Sequence, residues 1–125
     1  MGLMSFLNGS GSVLNEDWQE LKEAVQFEEI DERSKEQPVV IFKHSTSCGI
    51  SNFAKDRIEP LNIESFDFYY LDLWSYRPVS NAVADHYGVI HQSPQILVIK
   101  DGKCVYTTSH HAITIENIEE ALAQA

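Results

Sequence analysis

Residues 38–51 read PVVIFKHSTSCGIS, and their character changes near the middle of the stretch. The apolar run VVIF, opened by Pro38, is typical of a buried strand. After Ser47 the apolar residues recur at helical spacing and predict a helix with a face toward the core. These apolar residues are Ile50, Phe53, Ile58 and Leu61, and Pro60 is expected to kink or end the helix. The lone thiol of Cys48 therefore falls where a strand gives way to a helix.

This position predicts a reactive thiolate. Free backbone N–H groups and the helix dipole stabilise an anion at a helix N-terminus. The pKa of the Cys48 thiol should therefore lie below the free value of about 8.5. Lys43 and His44 are expected to add positive charge nearby, and Ser51, one turn later, to donate a hydrogen bond to the sulfur.

The alternative for a lone cysteine is a small buried apolar residue. The neighbours of Cys48 argue against that interpretation, because they are small and mostly polar: Ser45, Thr46, Ser47 and Gly49. Small neighbours also allow a second molecule to approach the sulfur. Ser47 and Gly49 are accordingly predicted to border the site.

The chain before this stretch predicts a flexible start and one helix. Residues 8–12, NGSGS, indicate a flexible N-terminal segment, which we place over residues 1–14. Asn15 is predicted to cap a helix. The apolar residues of that helix recur at helical spacing and are Trp18, Leu21, Ala24 and Val25. The charged and polar residues 30–37 predict a loop or a frayed helix end.

The chain after this stretch alternates strands with helices. Strands are predicted over residues 66–73, 95–100 and 104–108, with a hairpin turn at Asp101-Gly102. Pro78 is placed in the first turn of a helix that Gly88 stops, and Thr114 is placed as the cap of a last helix. This order predicts a single α/β domain over residues 1–125, with a central four-stranded mixed sheet covered by helices on both faces.

Composition narrows the class of protein. The 125 residues include 9 basic and 19 acidic side chains, and the formal net charge of −10 argues against general binding of nucleic acid or an anionic membrane. Only two cysteines are present, which is few for a small secreted domain held by disulfides. The start is a poor signal peptide, and no apolar run is long enough to span a bilayer. We expect a cytoplasmic monomer whose thiols are kept reduced.

The motif Cys48-Gly49-Ile50-Ser51 resembles the C-x-x-C redox motif of thioredoxins with serine in place of the second cysteine. Ser93-Pro94 opens a predicted strand where thioredoxin-like folds carry a cis-proline beside the active cysteine. More narrowly, the chain resembles the YtxJ-type monothiol bacilliredoxin family in its MGL start, its FKHSTSCxIS phrase, its SPQILVI strand and its SHxAI segment. That family usually has proline where Gly49 stands. The resemblance implies a thioredoxin-like three-layer sandwich.

The resemblance also implies an activity, the removal of bacillithiol from mixed disulfides on client proteins. Cys48 would attack the bacillithiol sulfur, and a second bacillithiol or a partner protein would resolve the adduct, since Ser51 replaces a resolving cysteine. Bacillithiol, or a similar low-molecular-weight thiol, is then a co-substrate, and no bound cofactor is expected. Lys43, His44, Ser93 and Pro94 are expected to support the site.

The second cysteine and the histidines are placed by counting along the predicted hairpin. Seven residues at about 3.3 Å each separate Pro94 from the turn by roughly 23 Å, so Cys104, just past the turn, should be structural and unable to reach Cys48. The returning strand reaches the level of Pro94 near His110 and His111. Either histidine is expected to border the site or to be an exposed loop residue. The histidine and cysteine spacings match no metal motif, so no metal site is predicted.

Two alternative functions remain at this point. A monothiol glutaredoxin carries a C-G-F-S motif close to that of Cys48-Gly49-Ile50-Ser51, and it would bind glutathione or a [2Fe–2S] cluster. The glycine pair and acidic residue typical of that family are missing at residues 108–111. The other alternative is a thioredoxin-like adaptor without catalytic activity, in which the Cys48 thiol has the pKa of free cysteine.

Overall fold

A computed structural model describes residues 17–45 and 49–125. The strands are β1 (Gln19–Glu20), β2 (Val39–His44), β3 (Asp67–Asp72), β4 (Gln95–Lys100) and β5 (Lys103–Ser109). The helices are α1 (Gln26–Arg33), α2 (Gly49–Ile58), α3 (Arg77–Tyr87) and α4 (Ile115–Gln124), and a 3-10 turn (His110–Ala112) precedes α4. The predicted flexible segment over residues 1–14, the Asn15 cap, and the predicted site residues Ser47 and Cys48 lie outside the described residues.

The strands form one mixed sheet in the order β1-β3-β2-β4-β5. Strands β1, β3 and β2 run parallel, whereas β4 is antiparallel to both β2 and β5. The turn between β4 and β5 has positive φ at Asp101 (52°) and Gly102 (74°), as the predicted Asp-Gly hairpin requires. Over the described residues the sheet has five strands rather than the predicted four, because residues 19–20 pair with β3 at the sheet edge.

Two apolar clusters, one on each side of the sheet, join the sheet to the helices that cover it. The domain therefore has three layers, with the sheet in the middle. Alternation along β2 sends Val40 and Phe42 to the side covered by α2 and α4, and Val39 and Ile41 to the side covered by α1 and α3. The predicted three-layer α/β sandwich with helices on both faces is therefore confirmed. None of the helices within residues 17–45 and 49–125 is long and apolar enough to cross a membrane.

The prediction of a helix from Asn15 is wrong for the described residues. Gln19–Glu20 is a strand, and α1 begins only at Gln26, so it covers part of the stretch predicted as a loop. The reason lies in Trp18 and Leu21, which are buried in opposite clusters. Residues three apart share a face in a helix but point to opposite faces in extended chain. Pairing with β3 therefore overrides the helical spacing.

The other helix boundaries follow the predicted signals. Pro78 lies in the first turn of α3, and Gly88 ends this helix with a left-handed φ of 64°. Thr114 caps α4, because its Oγ1 accepts a hydrogen bond of 3.1 Å from the backbone N–H of Asn117. The placement of Phe53 on the core face of α2 is wrong. Its side chain is 68% exposed, and the neighbouring Ala54 faces the core instead.

Candidate functional site

The predicted site residues converge on one edge of the sheet. Strand β2 ends at His44 and α2 begins at Gly49, while Lys43 pairs with Gln95 at the start of the antiparallel β4. Pro94 therefore lies beside the end of β2, and the Ser93–Pro94 peptide bond is cis. The backbone N–H of His110 donates a 3.3 Å hydrogen bond to the Pro94 carbonyl. Ser93, Pro94 and His110 thus lie together at the end of the sheet where β2 finishes.

Gly49 and Ser51 form the first turn of α2. Gly49 is exposed, and no described atom lies within 4 Å of the place where a Cβ would be added, so none of the described residues crowds this position. Ser51 is fully buried, and its Oγ has no hydrogen-bond partner among the described residues. A buried hydroxyl without a partner is rare, because it forfeits its interaction with water. Within the described part of the chain, the Ser51 hydroxyl near the start of α2 is therefore left with a hydrogen to donate.

His44 lies on the α2 side of the sheet and is 1% exposed. Its ring centroid is 5.6 Å from that of Phe42 and 5.5 Å from that of Tyr70, and its Nδ1 has no partner within the described chain. Burial lowers the pKa of His44, and the charge of Lys55 lowers it further, against smaller opposing effects that begin with Asp72. The predicted positive charge of His44 is therefore corrected: the ring is neutral at neutral pH.

Lys43 points to the opposite side of the sheet. It is fully buried on the α3 side, where Nζ donates a 3.1 Å hydrogen bond to the Ser80 carbonyl and lies 3.2 Å from Nδ1 of His91. Burial lowers the pKa of Lys43 to about 8. The predicted placement of its charge next to the thiol is therefore wrong, because β2 alternation sends Lys43 away from α2. No local signal in the sequence pointed to its partners Ser80 and His91.

A groove of about 420 Å³ lies between α2 and the 3-10 turn. Its lining residues are Phe53, Asp56, Arg57, His110 and His111. The Arg57 guanidinium fixes the turn by donating to the carbonyls of Ile113 (3.0 Å) and His110 (2.9 Å). His110 has a φ of 56°, which is uncommon for a non-glycine residue. The hairpin count predicted that either histidine would border the site or be an exposed loop residue, and both line this groove. The helical spacing placed Phe53 on the core face instead and did not single out Arg57.

Cys104 lies toward the other end of the sheet. It pairs with Ile99 on β4, and Ile99 pairs with Val39 at the start of β2. The half-buried Sγ donates to the Tyr106 carbonyl at 3.3 Å, and burial raises the pKa of this thiol. Cys104 thus has the structural surroundings expected from the sequence, at the end of β4 away from Pro94.

Comparisons with known proteins point to one family. A family model described as monothiol bacilliredoxin BrxC matches residues 19–118. A solved structure described as a proposed oxidoreductase with a thioredoxin fold is 31% identical, covers 84% of this chain and 93% of its own, and has a TM-score of 0.75.

Thioredoxins from two organisms share the fold at lower identity. The Malassezia sympodialis protein is 19% identical, with coverage of 92% of this chain and 96% of its own and a TM-score of 0.66. The Schistosoma mansoni protein is 20% identical, with coverage of 86% and 94% and a TM-score of 0.68. At these identities the similarity establishes the thioredoxin fold.

Proposed function

The chain belongs to the monothiol bacilliredoxin family, and from this premise we propose that it removes bacillithiol from mixed disulfides on client proteins. The family and its oxidoreductase relative establish a thiol redox function in general terms. The observation that carries the more specific proposal is the start of α2. The helix begins at Gly49, one residue after Cys48 in the sequence, and the buried Ser51 hydroxyl in its first turn has no hydrogen-bond partner among the described residues.

The start of α2 can activate a thiol placed before it. The first N–H groups of a helix have no partner within the helix, and the dipole adds partial positive charge. Ser51 adds a hydroxyl whose hydrogen has no other acceptor among the described residues. With Lys43 and His44 excluded as cationic neighbours, these helix groups and Ser51 become the proposed source of thiolate stabilisation for Cys48.

The first step is a thiol–disulfide exchange. The Cys48 thiolate attacks the bacillithiol sulfur of the modified client and forms a new S–S bond. The bond between the client sulfur and the bacillithiol sulfur breaks. The client sulfur leaves with the electron pair as a thiolate and takes a proton from solvent. The lack of crowding at Gly49 by any described residue supports the approach of the client disulfide.

The second step needs a thiol from outside the chain. Ser51 stands where a resolving cysteine would stand in a C-x-x-C motif, and Cys104 pairs with Ile99 at the other end of β4. A second bacillithiol thiolate attacks the bacillithiol sulfur on Cys48, releases the Cys48 thiolate and leaves as the symmetrical small disulfide. Over the full cycle one bacillithiol thiol is consumed and one client thiol is released, so one protein mixed disulfide is exchanged for one bacillithiol disulfide. A compartment with a reduced thiol pool, such as the cytoplasm, suits this reaction.

Mass spectrometry of three proteins tests the assignment. Wild type, Cys48→Ser and Cys104→Ser are each mixed with a bacillithiol-modified protein, and the adduct is located by peptide mapping. We expect one bacillithiol on Cys48 in the wild type and in Cys104→Ser, and none on Cys48→Ser. If Cys48→Ser removes bacillithiol from the client as well as wild type does, the mechanism is refuted. An adduct on Cys104 would contradict its purely structural role and would make it a candidate for resolving the Cys48 adduct.

A further inference from the structure

The side chain of Lys43 is buried on the side of the sheet that the thiol chemistry does not use. It shares this side with Val39 and Ile41, beneath α3. Lysine is almost never fully buried unless its charge is paired. Within the described ranges, no carboxylate lies within ion-pair distance of the Lys43 Nζ. A side chain kept in such an unfavourable place calls for a role beyond packing.

The Lys43 ammonium connects α3 to the loop at residues 88–94. One hydrogen goes to the Ser80 carbonyl in α3, and a second faces Nδ1 of His91 in the loop. Because an ammonium only donates, Nδ1 of His91 accepts and the ring carries its proton on Nε2. The Ser80 hydroxyl lies 3.4 Å from the same Nδ1. Lys43 and Ser80 therefore both fix the position of the His91 ring.

A second buried polar side chain holds the same loop. Gln95, which pairs with Lys43 across β2 and β4, donates from Nε2 to the Ile90 carbonyl (3.0 Å) and accepts from the Gln92 backbone N–H (3.2 Å). Loop residues 90, 91 and 92 are thus each fixed by a side chain from β2 or β4. Ser93–Pro94 follows directly and reaches the edge where β2 ends.

We propose that Lys43 is a positioning residue, which fixes the Ser93–Pro94 segment from the far side of the sheet by holding His91. The inference rests on the proposed function, because it assumes that this segment aligns the mixed disulfide for attack by Cys48. Lys43 then acts on the docking of the mixed disulfide and not on the ionisation of the Cys48 thiol. Loss of the Lys43 contact should therefore weaken substrate alignment and leave the Cys48 pKa unchanged.

Two variants remove the contact from opposite ends. Lys43→Met keeps the length of the side chain without its donors, and His91→Ala removes the acceptor from an exposed loop position. Lys103→Met, at the exposed start of β5, is the matched control. Each protein is assayed for kcat and KM on a bacillithiol-modified protein, for the Cys48 pKa by the pH dependence of alkylation, and for amide hydrogen exchange over residues 89–93.

We expect Lys43→Met and His91→Ala to raise KM about tenfold, since small misplacements of a substrate carry large penalties. Exchange over residues 89–93 should accelerate in both variants, and the control should match wild type. An unchanged KM in both variants, or an increased Cys48 pKa in Lys43→Met, would overturn the inference. His91→Ala decides the question if Lys43→Met does not fold. If the wild-type protein shows no turnover, the proposed function is refuted instead. If amide hydrogen exchange over residues 89–93 is unchanged in both variants, the anchoring of the loop by Lys43 is refuted.

Discussion

Ser51 and His44 are two buried polar residues near the site. Each buries a polar atom that has no hydrogen-bond partner within the described chain, Oγ in Ser51 and Nδ1 in His44. Such an atom costs about 1–3 kcal/mol when it stays unpaired. Both side chains belong to the two elements that flank Cys48 in the sequence. A thiolate or a disulfide sulfur between these elements would supply the missing partner for Ser51.

Replacing Ser51 by alanine should raise the pKa of the Cys48 thiol. A hydrogen bond to a charged group contributes about 1.5–3 kcal/mol, so we expect an increase of about 1 pKa unit. The rate of Cys48 alkylation between pH 5 and 9 measures this pKa. Folding stability should change little, because the Ser51 hydroxyl has no hydrogen-bond partner among the described residues.

Ser65→Ala is the control for the Ser51 variant, because Ser65 is exposed and lies beyond the end of α2. It should leave both the thiol pKa and the stability unchanged. A Cys48 pKa that is the same in Ser51→Ala and in wild type would show that the hydroxyl does not act on the sulfur.

At the scale of elements, the sequence predicted those helices and strands that carry their own boundary signals. Gly88, Thr114 and the Asp101-Gly102 turn each act through local backbone chemistry, and each lies where it was expected. The N-terminal element failed because edge pairing with β3 depends on residues about 50 positions away. The predicted core residues Ile58 and Leu61 are buried, and the placement of Phe53 in α2 failed for a different reason. Helical spacing favours the large Phe53, whereas the sheet accepts the small Ala54, which lets the helix approach closely.

Phe53 is exposed in the groove between α2 and the 3-10 turn, and we predict that it contacts client proteins. Phe53→Ala should raise KM for a bacillithiol-modified protein about fivefold, since an aromatic anchor contributes more than about 1 kcal/mol at many interfaces. Reduction of a mixed disulfide between bacillithiol and free cysteine should be unaffected, because such a substrate has no polypeptide to reach the groove. Steady-state kinetics with the two substrates measure the difference.

Val25→Ala provides the comparison for Phe53→Ala, because Val25 is similarly exposed but lies next to α1 on the other side of the sheet. It should change neither KM. Equal effects of Phe53→Ala on the protein and on the small disulfide would assign Phe53 to the reaction itself rather than to client binding.

At the scale of the whole molecule, the local sequence pattern could predict which residues lie near the candidate site, but not the side of the sheet that each side chain faces. The positions of Gly49 and Ser51 follow from the strand-to-helix change, and both lie in the predicted first turn. The direction of Lys43 depends on what covers each side of the sheet. Its partners Ser80 and His91 are 37 and 48 residues away along the chain. No local spacing encodes such contacts, so the charge was placed beside the thiol.

The buried Lys43 also gives the molecule a pH dependence of stability with a definite sign. The pKa of Lys43 is about 8 in the folded chain, because of burial, and 10.5 without burial. Between these values the unfolded chain binds more protons, so the free energy of unfolding rises with pH. Below pH 8 the buried ammonium costs about 3 kcal/mol, since each pKa unit corresponds to about 1.4 kcal/mol.

Lys43→Met should therefore be more stable than wild type by about 1–3 kcal/mol at pH 7, because a well-packed apolar side chain often replaces a buried charge with a gain. The difference should shrink steadily toward pH 9.5. Urea unfolding of both proteins between pH 7 and 9.5 measures it. Burial raises the pKa of Tyr69, Tyr70 and Tyr87, which lowers stability near pH 10, but these contributions cancel in the comparison. A difference that is constant with pH would mean that Lys43 does not titrate in this range. If Lys43→Met is more stable than wild type and also has a higher KM, the ammonium is retained for substrate alignment at the expense of stability.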